Sequence, residues 1–438
     1  MENKVKPRTL SGFMELLPQD QILFNKMYDT IRKNYEKFGF LPLDTPVIEI
    51  SEVLLAKAGG ETEKQIYRFM KGDNDLSLRF DLTVPLARYV AEHYNDLVFP
   101  FKRYQMSKVF RGERPQKGRF REFYQCDIDI IGNESLDIIY DAEIPTVIYN
   151  VFKELNIGDF TIRINNRKVL NGFFKNLNLS DEASDILRII DKIDKIGSEE
   201  VIKELEAMNI DINSITKIME FIKITGSADE VVNSLKELNV DNELFISGLN
   251  ELEIVTKNLK NFKVPENYFK IDLTIARGLD YYTGTVYETI LNDYPGLGSI
   301  CSGGRYDNLT GYYTDQSLPG IGISIGLTRL FSRLLEEKII STNVKSLTDV
   351  LVIPFDMNDM SFALSVASVL RNNDIKTDVY LIDKKMNQKM KYADRLGIPY
   401  VILIGEDEIK EEKVTLKNMI TGDQFKLSLE ELIKELTK

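Results

Sequence analysis

The chain has 438 residues, 43% of them hydrophobic and 28% charged, with a formal net charge of -12. That is the composition of an ordinary soluble globular protein, long enough for two or three domains with separate cores. Only two cysteines (Cys126, Cys301) and one histidine (His93) occur, which excludes a disulfide framework and a thiolate or histidine-rich zinc site and leaves arginine, carboxylate, amide and tyrosine groups to carry any chemistry.

No run approaches the roughly 18 apolar residues of a membrane span, and the N-terminal MENKVKPRTL lacks a signal-peptide core, so a reduced cytoplasmic setting is expected. From Pro18 to Phe38, Ile22, Leu23, Met27, Ile31 and Tyr35 recur at helical spacing, and FGFLPLDTPVIEI then turns into an extended segment. Ile66–Phe69 and Leu76–Phe80 predict a hairpin around KGDND, and Leu82–His93 a helix with His93 structural or exposed at its end.

Phe101–Arg111 and Arg121–Ile131 predict a long hairpin. Between Lys102 and Arg121 stand eight cationic side chains (Lys102, Arg103, Lys108, Arg111, Arg114, Lys117, Arg119, Arg121) against one acidic residue, Glu113. In an acidic protein such a reversal of sign marks a place that holds a polyanion. Pro115 and Gly118 punctuate the turn. The second flank offers Phe123, Gln125 and Asp129, a ring, an amide and a carboxylate on one face of a strand. Together they look like a site for a nucleotide and a small polar molecule.

Ile138–Leu155 reads as a helix. From about Val169 to Leu259 the chain becomes rich in Leu, Ile, Lys, Glu and Asn at helical spacing, the pattern of a separate helical insertion. Strand signals return at Phe269–Leu273, Thr285–Leu291, Leu297–Ser302 and Gly320–Ile325, followed by an amphipathic helix, Gly326–Glu337. Hairpin connections predict a mainly antiparallel sheet. Beyond a polar linker near Ser341–Thr348, strands Val350–Ile353, Thr377–Leu381 and Tyr400–Ile404 alternate with helices Ser361–Asn372 and Lys385–Leu396, as in a small parallel α/β domain.

The motifs resemble those of class II aminoacyl-tRNA synthetases, specifically the histidyl-tRNA synthetase family, over essentially the whole chain. FGFLPLDTP (Phe38–Pro46) is similar to the class's first motif, Phe110–Gln125 to the second and GIGISIGLTRL (Gly320–Leu330) to the third. ARGLDYYTGTVYE (Ala276–Glu288) and SGGRYDNL (Ser302–Leu309) resemble the histidine-specific signatures. LRFDLTVPLARYVAEH (Leu78–His93) and YQCDIDIIG (Tyr124–Gly132) match the form of eukaryotic-like members.

The resemblance implies an α+β class II catalytic core with a mainly antiparallel six-stranded sheet flanked by helices. Its first part is 1–168 (motifs 1 and 2) and its second 261–340 (the histidine motifs and motif 3). A helical insertion domain at 169–260, a linker at 341–348 and a C-terminal α/β anticodon-binding domain at 349–438 complete the chain. The implied activity is ATP-dependent activation of L-histidine, with Mg2+, to histidyl-adenylate and transfer to the 3′ end of histidine tRNA by a cytoplasmic homodimer.

The resemblance also carries site residues. Arg111 would take the α-phosphate, Phe123 would stack on adenine, and Arg329 would pack on the other face of adenine and reach the γ-phosphate. Glu113 would orient the adenine amine or the divalent metal, and Arg121 joins this ATP-binding set. Arg277 is the family's arginine between the α-phosphate and the histidine carboxylate, the role most diagnostic of the family. Asp129 and Tyr282 would meet the two imidazole nitrogens, with Tyr281 lining the pocket; Asp81, Thr83 and Gln125 would hold the α-amino group. Gln116, Lys117 and Arg119 would face the acceptor end of the tRNA, which in histidine tRNA bears an extra 5′ guanosine. Gly303, Gly304 and Arg305 read as a backbone turn beside the substrate, with Tyr306 as packing. No residue is assigned as a protein ligand to metal.

Two departures matter. Asp81 and Asp129 are glutamates in the common bacterial form, so the pocket has to make up one methylene at each. Thr328 stands where motif 3 often has glutamate, which removes that residue's auxiliary hold on the arginine or a metal. The competing reading is the non-aminoacylating regulatory subunit of ATP-phosphoribosyltransferase, disfavoured by the presence of Arg111, Arg277, Arg329 and the tail.

Overall fold

The long hairpin forms as the alternation dictates, and it organises what surrounds it. The computed structural model describes residues 4–56, 61–114, 118–275, 282–307, 309–342 and 344–437. The chain divides into two units, Met1–Glu15 with Met27–Ile340 and Leu16–Lys26 with Ser341–Lys438.

In chain order the first unit contributes β1 (Leu41–Pro42), β2 (Ile48–Ile50), β3 (Arg68–Lys71), β4 (Asn74–Leu78), β5 (Phe101–Phe110) and β6 (Glu122–Ile131). It continues with β7 (Phe160–Asn166), β8 (Phe269–Ile271), β9 (Thr285–Leu291), β10 (Cys301–Tyr306) and β11 (Gly320–Ile325). The large sheet has the order β1-β5-β6-β11-β10-β9-β7-β8, while β2, β4 and β3 form a small antiparallel sheet. The six inner strands of the large sheet are mutually antiparallel. The short edge strands β1 and β8 add to them in parallel. The expected six-stranded antiparallel core is therefore present, with a parallel strand on either edge.

β5 and β6 pair residue for residue from Phe101 opposite Ile131 to Phe110 opposite Glu122. Along β6, Cys126, Ile128 and Ile130 alternate with Gln125, Asp127 and Asp129, and all six are buried. One face is apolar and packs under helices: Tyr35, in the helix Pro18–Lys37, donates its hydroxyl to the Cys126 carbonyl at 2.9 Å. The other face is polar yet shielded, and it forms part of a cavity wall.

The helix Tyr140–Leu155 buries Ile144, Val147, Ile148 and Val151 and carries a proline, Pro145. Proline has no N–H for the carbonyl four residues back, so the carbonyl of Asp141 is free within the helix. The hydroxyl of Tyr287 on β9 donates to it at 2.5 Å. The carboxylate of the same Asp141 accepts two hydrogen bonds from Nε of Arg305 on β10, both 3.1 Å, and one from Nη2 at 2.5 Å.

Two strand expectations shift here. The segment read as a strand at Leu297–Ser302 is a 3-10 turn at Pro295–Leu297 followed by β10 from Cys301. Gly303, Gly304 and Arg305, read as a turn, are instead central residues of β10. The glycines serve strand approach: a Cβ on Gly303 would lie 2.1 Å from the Gly322 carbonyl oxygen. Arg305 is a strand residue that ion-pairs with Asp141, not a loop residue.

β7 is a central strand that the sequence reading did not anticipate. Its buried Phe160, Ile162 and Ile164 alternate with less buried positions. Asn166 then caps the first of seven helices, Arg167–Asn176, by accepting from the Lys168 N–H. The last of them, Glu243–Asn261, packs on the first and on the helix Tyr140–Leu155.

The second unit builds β12 (Val350–Pro354), β13 (Thr377–Val379), β14 (Tyr400–Ile404), β15 (Val414–Asn418) and β16 (Gln424–Leu427) in the order β13-β12-β14-β15-β16. The first three are parallel and separated by helices Met360–Arg371 and Met386–Leu396, as expected. The antiparallel hairpin β15–β16 and the closing helix Leu429–Leu436 extend it.

Candidate active site

The polar face of β6 opens on a cavity of about 560 Å³. Asp81, Thr83, Arg111, Glu113, Arg119, Phe123, Gln125, Asp129, Tyr282 and Arg329 all line it. Residues more than 200 positions apart in sequence thus share one wall.

At the carboxylate side Arg103, fully buried on β5 opposite Asp129, donates from Nη2 to Asp129 Oδ2 at 2.6 Å and to the Leu82 carbonyl at 3.3 Å. Tyr306 donates its hydroxyl to Asp129 Oδ1 at 2.8 Å, so it is more than the packing residue expected. Burial pushes the Asp129 pKa up to about 6, with Arg103 and then the Tyr306 hydroxyl opposing. Asp127, also facing the cavity, is pushed up to about 7 by burial, against the pull of Arg103. Asp81 sits at the head of the helix Thr83–Glu92, where its Oδ1 accepts from the backbone N–H groups of Thr83 (3.2 Å) and Val84 (3.0 Å). Burial raises its pKa too, although those N–H groups and Arg111 oppose.

A cationic group of side chains completes the cavity. Arg329 enters one turn into the helix Leu327–Glu336 and donates from Nη2 to the Leu297 carbonyl at 3.2 Å. Burial lowers its pKa first, and the neighbouring Arg119 and Arg333 add to this while Glu113 opposes. A guanidinium nonetheless stays charged at any working pH. Arg119 reaches Glu113 at 3.3 Å. The guanidinium carbon of Arg111 lies 4.3 Å from the Phe80 ring centroid and 5.1 Å from that of Phe123, with Nε donating to the Phe80 carbonyl at 3.2 Å. The cavity therefore presents three buried carboxylates at one group of residues and four guanidiniums (Arg111, Arg119, Arg329, Arg333) at another. Such a wall fits a small cationic molecule together with a polyanion, and fixed charges of this kind need no reorganisation when charge develops.

Gln116, Lys117, Arg277 and Tyr281 lie outside the described residues. Arg121 is not part of the cavity wall: its Nε donates to the Glu113 carbonyl at 3.0 Å and its Nη1 to the Ser11 carbonyl at 3.4 Å. Thr328 is buried, and its hydroxyl accepts from the Tyr124 N–H at 2.8 Å, tying the helix after β11 to β6. His93 ends the helix Thr83–Glu92 with its ring 4.6 Å from that of Tyr89. Cys126 and Cys301 are free and buried.

Sequence reasoning missed Asp127, Ser324 and the function of Arg103. A signal existed for Asp127, which stands between Gln125 and Asp129 on the same alternation. Ser324 had none, because its place opposite Asp127 follows only from the β6–β11 register.

Residues 12–330 match the family profile of histidyl-tRNA synthetase, and residues 349–438 match that of an anticodon binding domain. A histidine–tRNA ligase of Clostridium tetani (strain Massachusetts / E88) is 65% identical over 431 residues, 98% of each chain. One of Finegoldia magna (strain ATCC 29328 / DSM 20472 / WAL 2508) is 48% identical over 432 residues, 99% of this chain and 100% of its own. The crystal structure of histidyl-tRNA synthetase from Nostoc sp. PCC 7120 matches with a TM-score of 0.93 at 44% identity, covering 99% of both chains. An ATP phosphoribosyltransferase regulatory subunit/histidyl-tRNA synthetase from Bacillus halodurans C shares the fold, with a TM-score of 0.74 at 20% identity over 88% of this chain and 97% of its own.

Proposed function

The chain belongs to the histidyl-tRNA synthetase family and is an aminoacyl-tRNA synthetase that ligates histidine to tRNA, and on that premise we propose how its own residues divide the work. The observation that supports the division is the pairing of three buried carboxylates with four guanidiniums around one cavity.

Histidine brings an ammonium and an imidazole to the carboxylate group, and ATP brings its phosphates to the guanidiniums. Asp81, Thr83 and Gln125 receive the α-amino group; Asp129 and Tyr282 meet the imidazole nitrogens, with Tyr281 beside them. Neutral imidazole donates at one nitrogen and accepts at the other, so apolar isosteres leave buried groups unpaired. Phe123 and Arg329 sandwich adenine, and Arg111 and Arg277 flank the α-phosphate. The histidine carboxylate attacks the α-phosphorus, diphosphate leaves, and the mixed anhydride histidyl-adenylate remains. A terminal hydroxyl of the tRNA then attacks the carbonyl carbon and AMP departs. Both steps spread negative charge over phosphate oxygens, which is the charge that placed guanidiniums stabilise.

Magnesium would come with ATP. Glu113 and Glu288 both line the cavity, and one or two carboxylates with phosphate oxygens and water are its usual surroundings. When bound it would neutralise phosphate charge. Gln116, Lys117 and Arg119 would hold the acceptor end of the tRNA, 169–260 would form an insertion domain and 349–438 would bind the anticodon. Homodimerisation through the motif 1 region is supported by the exposed Leu41, Val47, Ile48 and Ile50, since apolar clusters of that kind mark interfaces. No described helix is long and apolar enough to cross a membrane, in keeping with a cytoplasmic enzyme.

Histidine-dependent exchange of pyrophosphate into ATP tests the reading. Arg277→Ala and Arg329→Ala are expected to lower exchange by about 10²–10³-fold. Wild-type protein without exchange at saturating histidine would return the chain to the regulatory-subunit reading.

A further inference from the structure

Asp129 is held from two sides by residues on different strands. On one side Arg103 of β5, 0% exposed, stands directly opposite it in the register, with Nη2 2.6 Å from Asp129 Oδ2. On the other side Tyr306 of β10 donates its hydroxyl to Oδ1 at 2.8 Å, although β11 runs between β6 and β10. Two glycines make that reach possible. Gly320 stands opposite Tyr306 and Gly322 opposite Asp129, on one face of β11. A Cβ on Gly320 would lie 2.5 Å from Cζ of Tyr306 and 2.7 Å from its hydroxyl oxygen, and one on Gly322 would meet Asp129 Oδ1. The intervening strand is thus cleared of side chains where tyrosine and aspartate join.

We propose that Arg103 and Tyr306 are specificity-determining positioning residues. Holding one oxygen each, they fix Asp129 as an acceptor-only carboxylate, so the pocket accepts a side-chain ring only if the ring brings an N–H to it. The proposal rests on the histidine reading above, in which Asp129 meets an imidazole nitrogen, and goes beyond it by naming what enforces the choice.

Asp129 is 3% exposed, and burial favours the neutral acid, in which one oxygen carries a proton and becomes a donor. Both groups that touch the carboxylate oppose this. A guanidinium has donors and no acceptor, so a proton on Oδ2 would face an N–H, and a proton on Oδ1 would face the hydrogen of the tyrosine hydroxyl. The two contacts also fix a direction. With Arg103 and Tyr306 on separate oxygens, the carboxylate plane cannot turn without breaking one of them, and its remaining lone pairs keep one orientation at the cavity wall. Neutral imidazole, a donor at one nitrogen and an acceptor at the other, meets that demand in one tautomer. A ring of the same size with no N–H brings no donor and leaves a buried acceptor unpaired.

Pyrophosphate exchange by the full-length protein at pH 8, above the value of about 6 for Asp129, tests this with two amino acids. L-Histidine carries a ring N–H; 3-(pyrazol-1-yl)-L-alanine keeps the amino group, the carboxylate and the ring size but has none. Wild type should favour histidine in kcat/KM by at least about a hundredfold, because a site built to bond a donor rejects the analogue that lacks it. Tyr306→Phe and Arg103→Lys should each lower kcat/KM for histidine by about tenfold or more while moving the analogue less than about threefold. Should Arg103→Lys fail to fold, Tyr306→Phe decides alone. Equal losses for both amino acids would show a merely structural role and overturn the clamp, as would variants that keep the full preference for histidine. Wild type that uses both amino acids equally would take the ring N–H away from Asp129, and the clamp would fall with that assignment. Wild type that supports no exchange with histidine would sink the parent reading, and the clamp with it.

Discussion

The guanidinium of Arg103 donates to the carboxylate of Asp129 at 2.6 Å, with 0% of one side chain and 5% of the other exposed. Breaking a buried pair from one side strands the remaining charge. Arg103→Met should therefore destabilise the protein by about 3–5 kcal/mol, read as a lowered urea midpoint. An unchanged midpoint at pH 8 would contradict this account of the pair.

The titration of Asp127 gives a second prediction. Its pKa stands at about 7 in the folded chain, against an ordinary 3.8, with burial as the main cause. Between about pH 4 and 7 the folded state then binds more protons than the unfolded one, so stability from this group falls as pH rises through that window. Asp127→Asn should be more stable than wild type at pH 8 by about 1–3 kcal/mol without ligand, and the gain should vanish near pH 4. Thermal melts at the two pH values check it; a gain of equal size at both would not fit.

Tyr306→Phe removes the hydroxyl that holds Asp129 at 2.8 Å. That bond lowers the Asp129 pKa, so its loss raises it. The acid limb of kcat/KM for histidine should move upward by about half to one pH unit, with KM for ATP little changed. A limb that stays in place would mean that Asp129 does not govern histidine capture.

A methyl group on Gly322 would lie 2.2 Å from Asp129 Oδ1 and 2.5 Å from the Ile128 carbonyl oxygen. Gly322→Ala must shift the carboxylate or part the strands, at a cost of about 1–3 kcal/mol. KM for histidine should rise by about tenfold or more, as expected for a displaced buried acceptor, ahead of any change in KM for ATP.

Thr328→Val keeps the shape and removes the oxygen that accepts from the Tyr124 N–H. The expected cost is about 1 kcal/mol of stability, with pyrophosphate exchange within about threefold of wild type. A loss near a hundredfold would show instead that this threonine has taken over the auxiliary role of the usual glutamate.

Much of this was legible in the sequence because strand alternation and motif spacing are local. Phe123, Gln125 and Asp129 announced a polar strand face, and the structure has that face on a cavity with Arg111 and Arg329. What stayed hidden depends on register and on contacts between distant segments. Asp127 lies on the same alternation, but its place opposite Ser324, almost 200 residues away, follows only from the strand register. The pair Gly303–Gly304 resembles a turn in isolation; its actual use, letting β10 and β11 approach, requires knowing that Gly322 lies across from Gly304. β7 went unnoticed because FTIRINN mixes polar residues into a short strand that only its neighbours β8 and β9 make central.

Asp141 touches nothing in the cavity, yet it holds β9 through Tyr287 and β10 through Arg305 from one position on the helix. In a sheet, sliding one strand by a single residue turns every side chain to the opposite face. Tyr306 follows Arg305 directly, so a slip at β10 would swing its hydroxyl away from Asp129 and bring a neighbour round in its place. A helix residue outside the cavity wall thus acts as an alignment pin, and on the proposed role of Asp129 amino-acid selectivity depends on mechanical indexing as much as on the chemistry of the pocket.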